Sequence, residues 1–86
     1  MNEKELEKIL HEISVLLKRK NEMYGDGNII ELGQEGIIFR IKEKLERLKH
    51  LLMNNKNPSE ETIEDTWQDI IGYSVIGLMV KRSKWQ

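Results

Sequence analysis

The chain has no cysteine and only one proline in 86 residues. No disulfide can staple the fold, and no cysteine-based zinc cage can form. Scarce proline leaves long stretches free to run as uninterrupted helix. Neither sign of charge is in excess: charged residues make up 34% of the chain, yet the formal net charge is −1. The basic footprint that duplex DNA or RNA demands is therefore missing. Long hydrophobic runs are absent as well. The longest, Ile70 to Val80, contains glycine and serine and falls well short of the roughly 20 residues that span a bilayer. The N-terminal MNEKELEK has no signal-peptide core. These absences lead to the expectation of a single domain over residues 1–86, soluble and cytoplasmic, with no membrane and no duplex nucleic acid among its partners.

What is present is helical periodicity. Leu6, Ile9, Leu10, Ile13, Leu16, Leu17 and Met23 recur at three- and four-residue steps and predict a first helix over about 3–23. Asn2 is placed to cap it, and acids fill its first turn. Gly25, Gly27 and Asn28 then break the pattern, so YGDGNIIELGQEG reads as a long loop, with NIIEL the one strand candidate. A second helix is predicted over about 34–54, its main stripe being Ile38, Ile41, Leu45, Leu48 and Leu52. A third is predicted over about 58–81, begun by Pro58 with Asn57 as cap, or capped by Ser59. The expected fold is all-α. Because a chain this short buries only a modest core, the three-helix unit is expected to complete a larger bundle by oligomerisation.

The third helix carries the chemical signal. On a helical wheel Ile63, Trp67, Ile70, Ile71, Ser74 and Leu78 share one face, which predicts Trp67 in the core. Asp65 and Asp69 lie nearly opposite, on a line that continues through Gly72, Tyr73, Ile76 and Val80. Two acids one turn apart thus enter a face that becomes apolar. A helix apolar all round is expected to be buried all round, so Asp69 is expected to be partly desolvated. Such a carboxylate needs a counter-charge. The residues leave two sources open: a shared Mg²⁺, for which hard oxygen ligands are suited, or Lys and Arg from another helix. Glu43 and Glu46, three residues apart on a flank of the second helix with Phe39 and His50, are candidate co-ligands or simply a charged surface. No HExxH motif, histidine cluster or P-loop spacing is present, and Ser74 has no evident base.

The stretches KNEMYGDGN, IFRIKEKLERL and EETIEDTWQDIIGYSVIGL together resemble small phage-associated proteins of the nucleotide-modification-associated type. These in turn are similar to the MazG-like all-α nucleoside triphosphate pyrophosphohydrolases. The resemblance runs over roughly residues 20–78. It is carried most specifically by Asp65, Thr66, Asp69 and Tyr73, and by Glu43, Lys44 and Arg47. It implies Mg²⁺-dependent (or Mn²⁺-dependent) conversion of a dNTP or modified nucleotide to a monophosphate and pyrophosphate. Glu43, Glu46, Asp65 and Asp69 would be metal ligands and catalytic acids, in a homo-oligomer, dimer or tetramer. Lys20, Arg40, Lys42 or Arg47 would meet phosphate oxygens. Tyr24, Phe39, Trp67 and Tyr73 would offer contacts to a base. Glu43 and Glu46 reproduce the ExxE spacing of those enzymes. Asp65 and Asp69, four apart, depart from their ExxD. The alternative reading is a non-catalytic helical regulator or inhibitor that binds a host protein or a nucleotide.

Overall fold

A computed structural model describes residues 1–53 and 59–85; the Asn57–Pro58 cap alternative lies outside them. They form three helices: α1 (Glu3–Tyr24), α2 (Gly27–Met53) and α3 (Glu60–Lys81). The all-α expectation holds. Asn2 caps α1 by accepting from the Glu5 amide at 3.0 Å, and Ser59 caps α3 by accepting from the Thr62 amide at 3.4 Å.

The predicted loop is a correction. Helix resumes at Gly27 and includes NIIEL, so the connection after α1 is only two residues long. Two features make this possible. The Asp26 carbonyl accepts the Ile30 amide at 3.2 Å, starting the helix. The Asp26 carboxylate accepts from Asn21 Nδ2 at 2.6 Å, tying the turn back to α1. The break read at Gly25 is present, since α1 ends at Tyr24 and Gly25 takes φ +72°; a second break sits inside α2 at Gly33, where φ is +60° and the helix kinks. A residue with a Cβ is disfavoured in that conformation. The regular helix beyond the kink starts at Gln34, the position expected from the sequence.

α2 and α3 pack as an antiparallel pair. Ile37 lies over Gly77, close enough that a Cβ there would sit 3.6 Å from Ile37 Cγ2, and Lys44 reaches Asp69 at 3.0 Å. Advancing along one helix means retreating along the other. α1 meets α3 more sparingly, with Leu17 over Gly72. A Cβ on Gly72 would approach Leu17 Cδ2 at 3.3 Å, a tight contact that the leucine would have to yield to by a few tenths of an ångström.

The core is small. Among the described residues the buried apolar side chains are Ile13, Ile37, Leu48 and Ile76, each contributing about 1.5–3 kcal/mol. The faces expected to be inward are largely outward. Ile38, Leu45 and Leu52 of the predicted α2 stripe are exposed, and Trp67, expected in the core, is 49% exposed. The inner stripe of α2 is Ile37, Ile41, Lys44 and Leu48; that of α3 runs through Thr66, Asp69, Gly72 and Ile76. α3 is therefore apolar all round without being buried all round. The first turns of α1 are also free: residues 1–12 are all exposed, Leu6, Ile9 and Leu10 included.

Candidate functional site

The kinked start of α2 and the sparse α1–α3 contact leave a cleft of 320 Å³ between the C-terminal half of α1, the beginning of α2, the middle of α3 and Trp85. Leu16, Leu17, Ile29, Gly72 and Ile76 form its apolar floor and walls. Lys20, Asn21, Tyr24, Asn28, Gln68, Asp69 and Tyr73 add polar groups. Trp85 closes one side. Its indole Nε1 donates to the Asp26 carbonyl at 3.1 Å, which fixes the segment after α3 against the α1–α2 turn. A few hundred cubic ångströms of mostly apolar lining with a few convergent polar groups suits a small ligand.

The cleft brings together Lys20, Tyr24, Asp69 and Tyr73 from the residues singled out in the sequence. Lys20 and Tyr24 are one turn apart on α1, as are Asp69 and Tyr73 on α3, so each pair projects to one side. Asp69 is only 22% exposed at its side chain and lies between two ammonium groups: Lys44 Nζ is 3.0 Å from Oδ2 and Lys20 Nζ 3.5 Å from Oδ1. The desolvation expected of Asp69 is present, and its counter-charge in this chain comes from lysines of both neighbouring helices. Of Glu43, Lys44 and Arg47, Lys44 is thereby the inward residue.

The other acids lie elsewhere. Asp65 is exposed, one turn before Asp69 on the same side of α3. Glu43 is exposed and 3.7 Å from Arg40. At about 100° per residue, Glu43, Arg40 and Arg47 fall on the flank of α2 that shares α1's side of the α2–α3 pair. Glu46 and Phe39 point away from α3 altogether, and both are exposed. Among the described residues no group of three or more histidine or carboxylate side chains gathers to hold a metal ion. The Mg²⁺ set implied by the resemblance thus does not close within one chain in this arrangement.

Asn21, Asn28, Gln68 and Trp85 were not anticipated as cleft residues. Gln68 adjoins Asp69 and could have been suspected. Trp85 lies beyond the last helix, where no periodicity marks it.

Fold and cleft define an all-α domain with a cleft of small-ligand size between its three helices. The chain belongs to the family described as nucleotide modification associated domain 1, whose sequence model matches residues 20–80. That span takes in both one-turn pairs of the cleft and omits the exposed start of α1. Comparison with curated proteins and with solved structures returned no match. Among the described residues no helix is long and apolar enough to cross a membrane.

Proposed function

We propose that this domain binds a nucleoside triphosphate, of a common or a modified deoxynucleoside, in the α1–α2–α3 cleft and converts it to monophosphate and pyrophosphate. The observation that supports this most is the convergence of Lys20, Tyr24, Asp69 and Tyr73 on one cleft in a chain of the nucleotide-modification-associated family. Lys20 stands half-exposed at the mouth, where its ammonium can meet a phosphate oxygen. Tyr24, Tyr73 and Trp85 offer ring faces to a base. Asn28 and Gln68 offer both donors and acceptors to its edge.

Hydrolysis is the finer part of this reading and rests on the MazG-like resemblance. Mg²⁺ belongs to it, with Glu43, Glu46, Asp65 and Asp69 as the implied ligands. Because these acids do not converge in the chain as folded here, no chemical step is derived through the ion. A second reading keeps the cleft and drops the chemistry: a nucleotide-binding regulator, which need not turn its ligand over. The lysine pairing of Asp69 favours it. Pyrophosphate release from a panel of dNTPs and modified dNTPs, with Mg²⁺ or Mn²⁺, separates the two. Metal-dependent turnover supports hydrolysis. Calorimetric binding of a non-hydrolysable analogue without turnover supports the regulator. Neither binding nor turnover would sink both.

A further inference from the structure

The segment after α3 is turned back onto the cleft by a built cap. The Ser83 amide donates to the Val80 carbonyl at 3.0 Å, and the Lys84 amide to the Met79 carbonyl at 2.9 Å. These two bonds define a Schellman cap, whose turn residue takes a left-handed conformation and is usually glycine. Here it is Ser83, at φ +56°, the one non-glycine residue of positive φ among the described residues. The chain reverses there, and Trp85 reaches the α1–α2 turn, where its indole donates to the Asp26 carbonyl at 3.1 Å.

Trp85 borders two cavities. One is the 320 Å³ cleft; the other is a more open hollow of 260 Å³ bounded by Ile30, Val80 and Ser83. Among the described residues no other side chain borders both, so the indole is the partition between them. The cleft also has two unlike ends. Lys20 pairs with Asp69 at one. Tyr24 lies one turn further along α1, beside the turn that Trp85 touches. A nucleoside triphosphate bound there sets its phosphates at the ammonium and its base toward the rings.

We propose that Trp85 sets the size of base that the cleft accepts, admitting an ordinary nucleobase and disfavouring one that carries a bulky substituent. This rests on the nucleotide reading of the cleft and adds a discrimination to it. The indole presents a flat face to an ordinary base but fills the space that a substituent directed at the α1–α2 turn needs. Further room lies only behind it, in the hollow. Making way means giving up both the bond to Asp26 and the contacts that hold the ring, so an oversized group meets a wall rather than a loose side chain. The family match ends at residue 80. Lys20 and Asp69 fall inside that span, whereas Ser83 and Trp85 fall outside it. Phosphate contact and base selection are thus carried by separate parts of the chain.

Calorimetry on the whole chain tests this with non-hydrolysable triphosphates of the common deoxynucleosides, each paired with a version bearing a phenyl group on the major-groove edge of its base. The wild type is expected to bind the plain member about tenfold or more tighter, the scale on which an apolar pocket discriminates by size. Trp85→Ala joins the hollow to the cleft and is expected to bring the ratio close to one by gaining affinity for the phenyl member. Trp85→Phe keeps a ring without the hydrogen bond and is expected to hold most of the preference. If Trp85→Ala loses its helical circular dichroism, fluorescence decides. Trp67→Phe alters a half-exposed position and leaves Trp85 as the only indole, whose emission should shift when plain nucleotide saturates the protein. A wild type that binds both members alike overturns the proposal. So does a folded Trp85→Ala protein whose two affinities stay put or fall in parallel, or saturation that leaves Trp85 emission unmoved. In each of these cases nucleotide still binds, and the reading of the cleft stands. A wild type that binds no nucleotide removes that reading and the selectivity together.

Discussion

Ile37 and Ile38 are neighbours of the same residue type on one helix, yet they belong to different parts of the molecule. Ile37 is 2% exposed and packs over Gly77; Ile38 stands in solvent on the open face. The contrast extends along the whole α2–α3 pair. The inner contact, with the α1 side above it, combines apolar side chains with the Asp69–lysine cluster and adjoins the cleft. The outer face is mostly apolar and exposed, and among the described residues it borders no other helix. Both sides of the pair thus carry apolar stripes, but only the inner one pairs them with an ion cluster. The inner side is where the chain both packs its small core and borders the cleft, whereas the outer side exposes apolar side chains.

Truncating these two isoleucines tests the contrast most directly. Ile37→Ala should cost about 2–5 kcal/mol in urea unfolding, because it empties a packed position. That cost should not depend on protein concentration. Ile38→Ala should cost less than about 0.5 kcal/mol at concentrations where the chain is monomeric, as expected for an exposed position. Its effect should grow with concentration if the face is covered in a dimer. Equal costs at every concentration would erase the distinction between the two faces.

The reason this distinction was not legible in the sequence is physical. Two stripes at helical spacing run along α2. One is Ile37, Ile41, Lys44 and Leu48; the other, the predicted one, is Ile38, Ile41, Leu45, Leu48 and Leu52, of which Leu48 is buried. The second has no charge and reads as the core. The first contains a lysine, and it is buried because that lysine meets Asp69. The lysine makes the α2 stripe look like surface, whereas on α3 the run from Asp69 into Gly72 and Ile76 already marks an inward face; the pairing of the two is what only the fold reveals. The number of helices, the boundaries of α1 and α3, and the half-burial of Asp69 were all readable. So were four of the residues that line the cleft. The start of α2 was not, since it depends on the contacts of Asp26 with Asn21, Ile30 and Trp85, partners that local glycine content cannot foreshadow.

The acids offer the next largest effect. Glu43→Gln and Asp65→Asn alter exposed side chains and should shift stability by no more than about 0.5 kcal/mol. If the cleft side of the protein hydrolyses nucleotides through these groups, each substitution should lower the rate of pyrophosphate release by about 100-fold or more, the usual scale for losing an acid–base group. If the domain only binds nucleotide, affinity measured by calorimetry should stay within severalfold of the wild type. A variant that keeps full turnover removes that acid from the catalytic set.

Lys20 divides binding from structure within the cleft. Its ion pair with Asp69 is long, at 3.5 Å, and its side chain is about half-exposed, so the pair should contribute no more than about 1 kcal/mol to stability. Contact with a phosphate is worth more. Lys20→Ala should lower affinity for a non-hydrolysable triphosphate by about tenfold, the loss expected for one charge-assisted contact. The same variant should bind the corresponding nucleoside nearly as well as the wild type. Parallel losses for both ligands would place Lys20 among the supports of the cleft rather than at its phosphate end.

The smallest effect probes how the cleft is closed. Trp85→Phe keeps an aromatic wall but removes the hydrogen bond to the Asp26 carbonyl. The cost should be about 0.5–1.5 kcal/mol, the net worth of one such bond. Because Asp26 also accepts the amide that starts α2, loosening should be local. Amide exchange should accelerate at Ile30 and its neighbours while the Ile37–Gly77 contact region keeps its protection. Uniform acceleration along α2 would mean that Trp85 holds the whole helix in place, and that cleft and core form one cooperative unit rather than two.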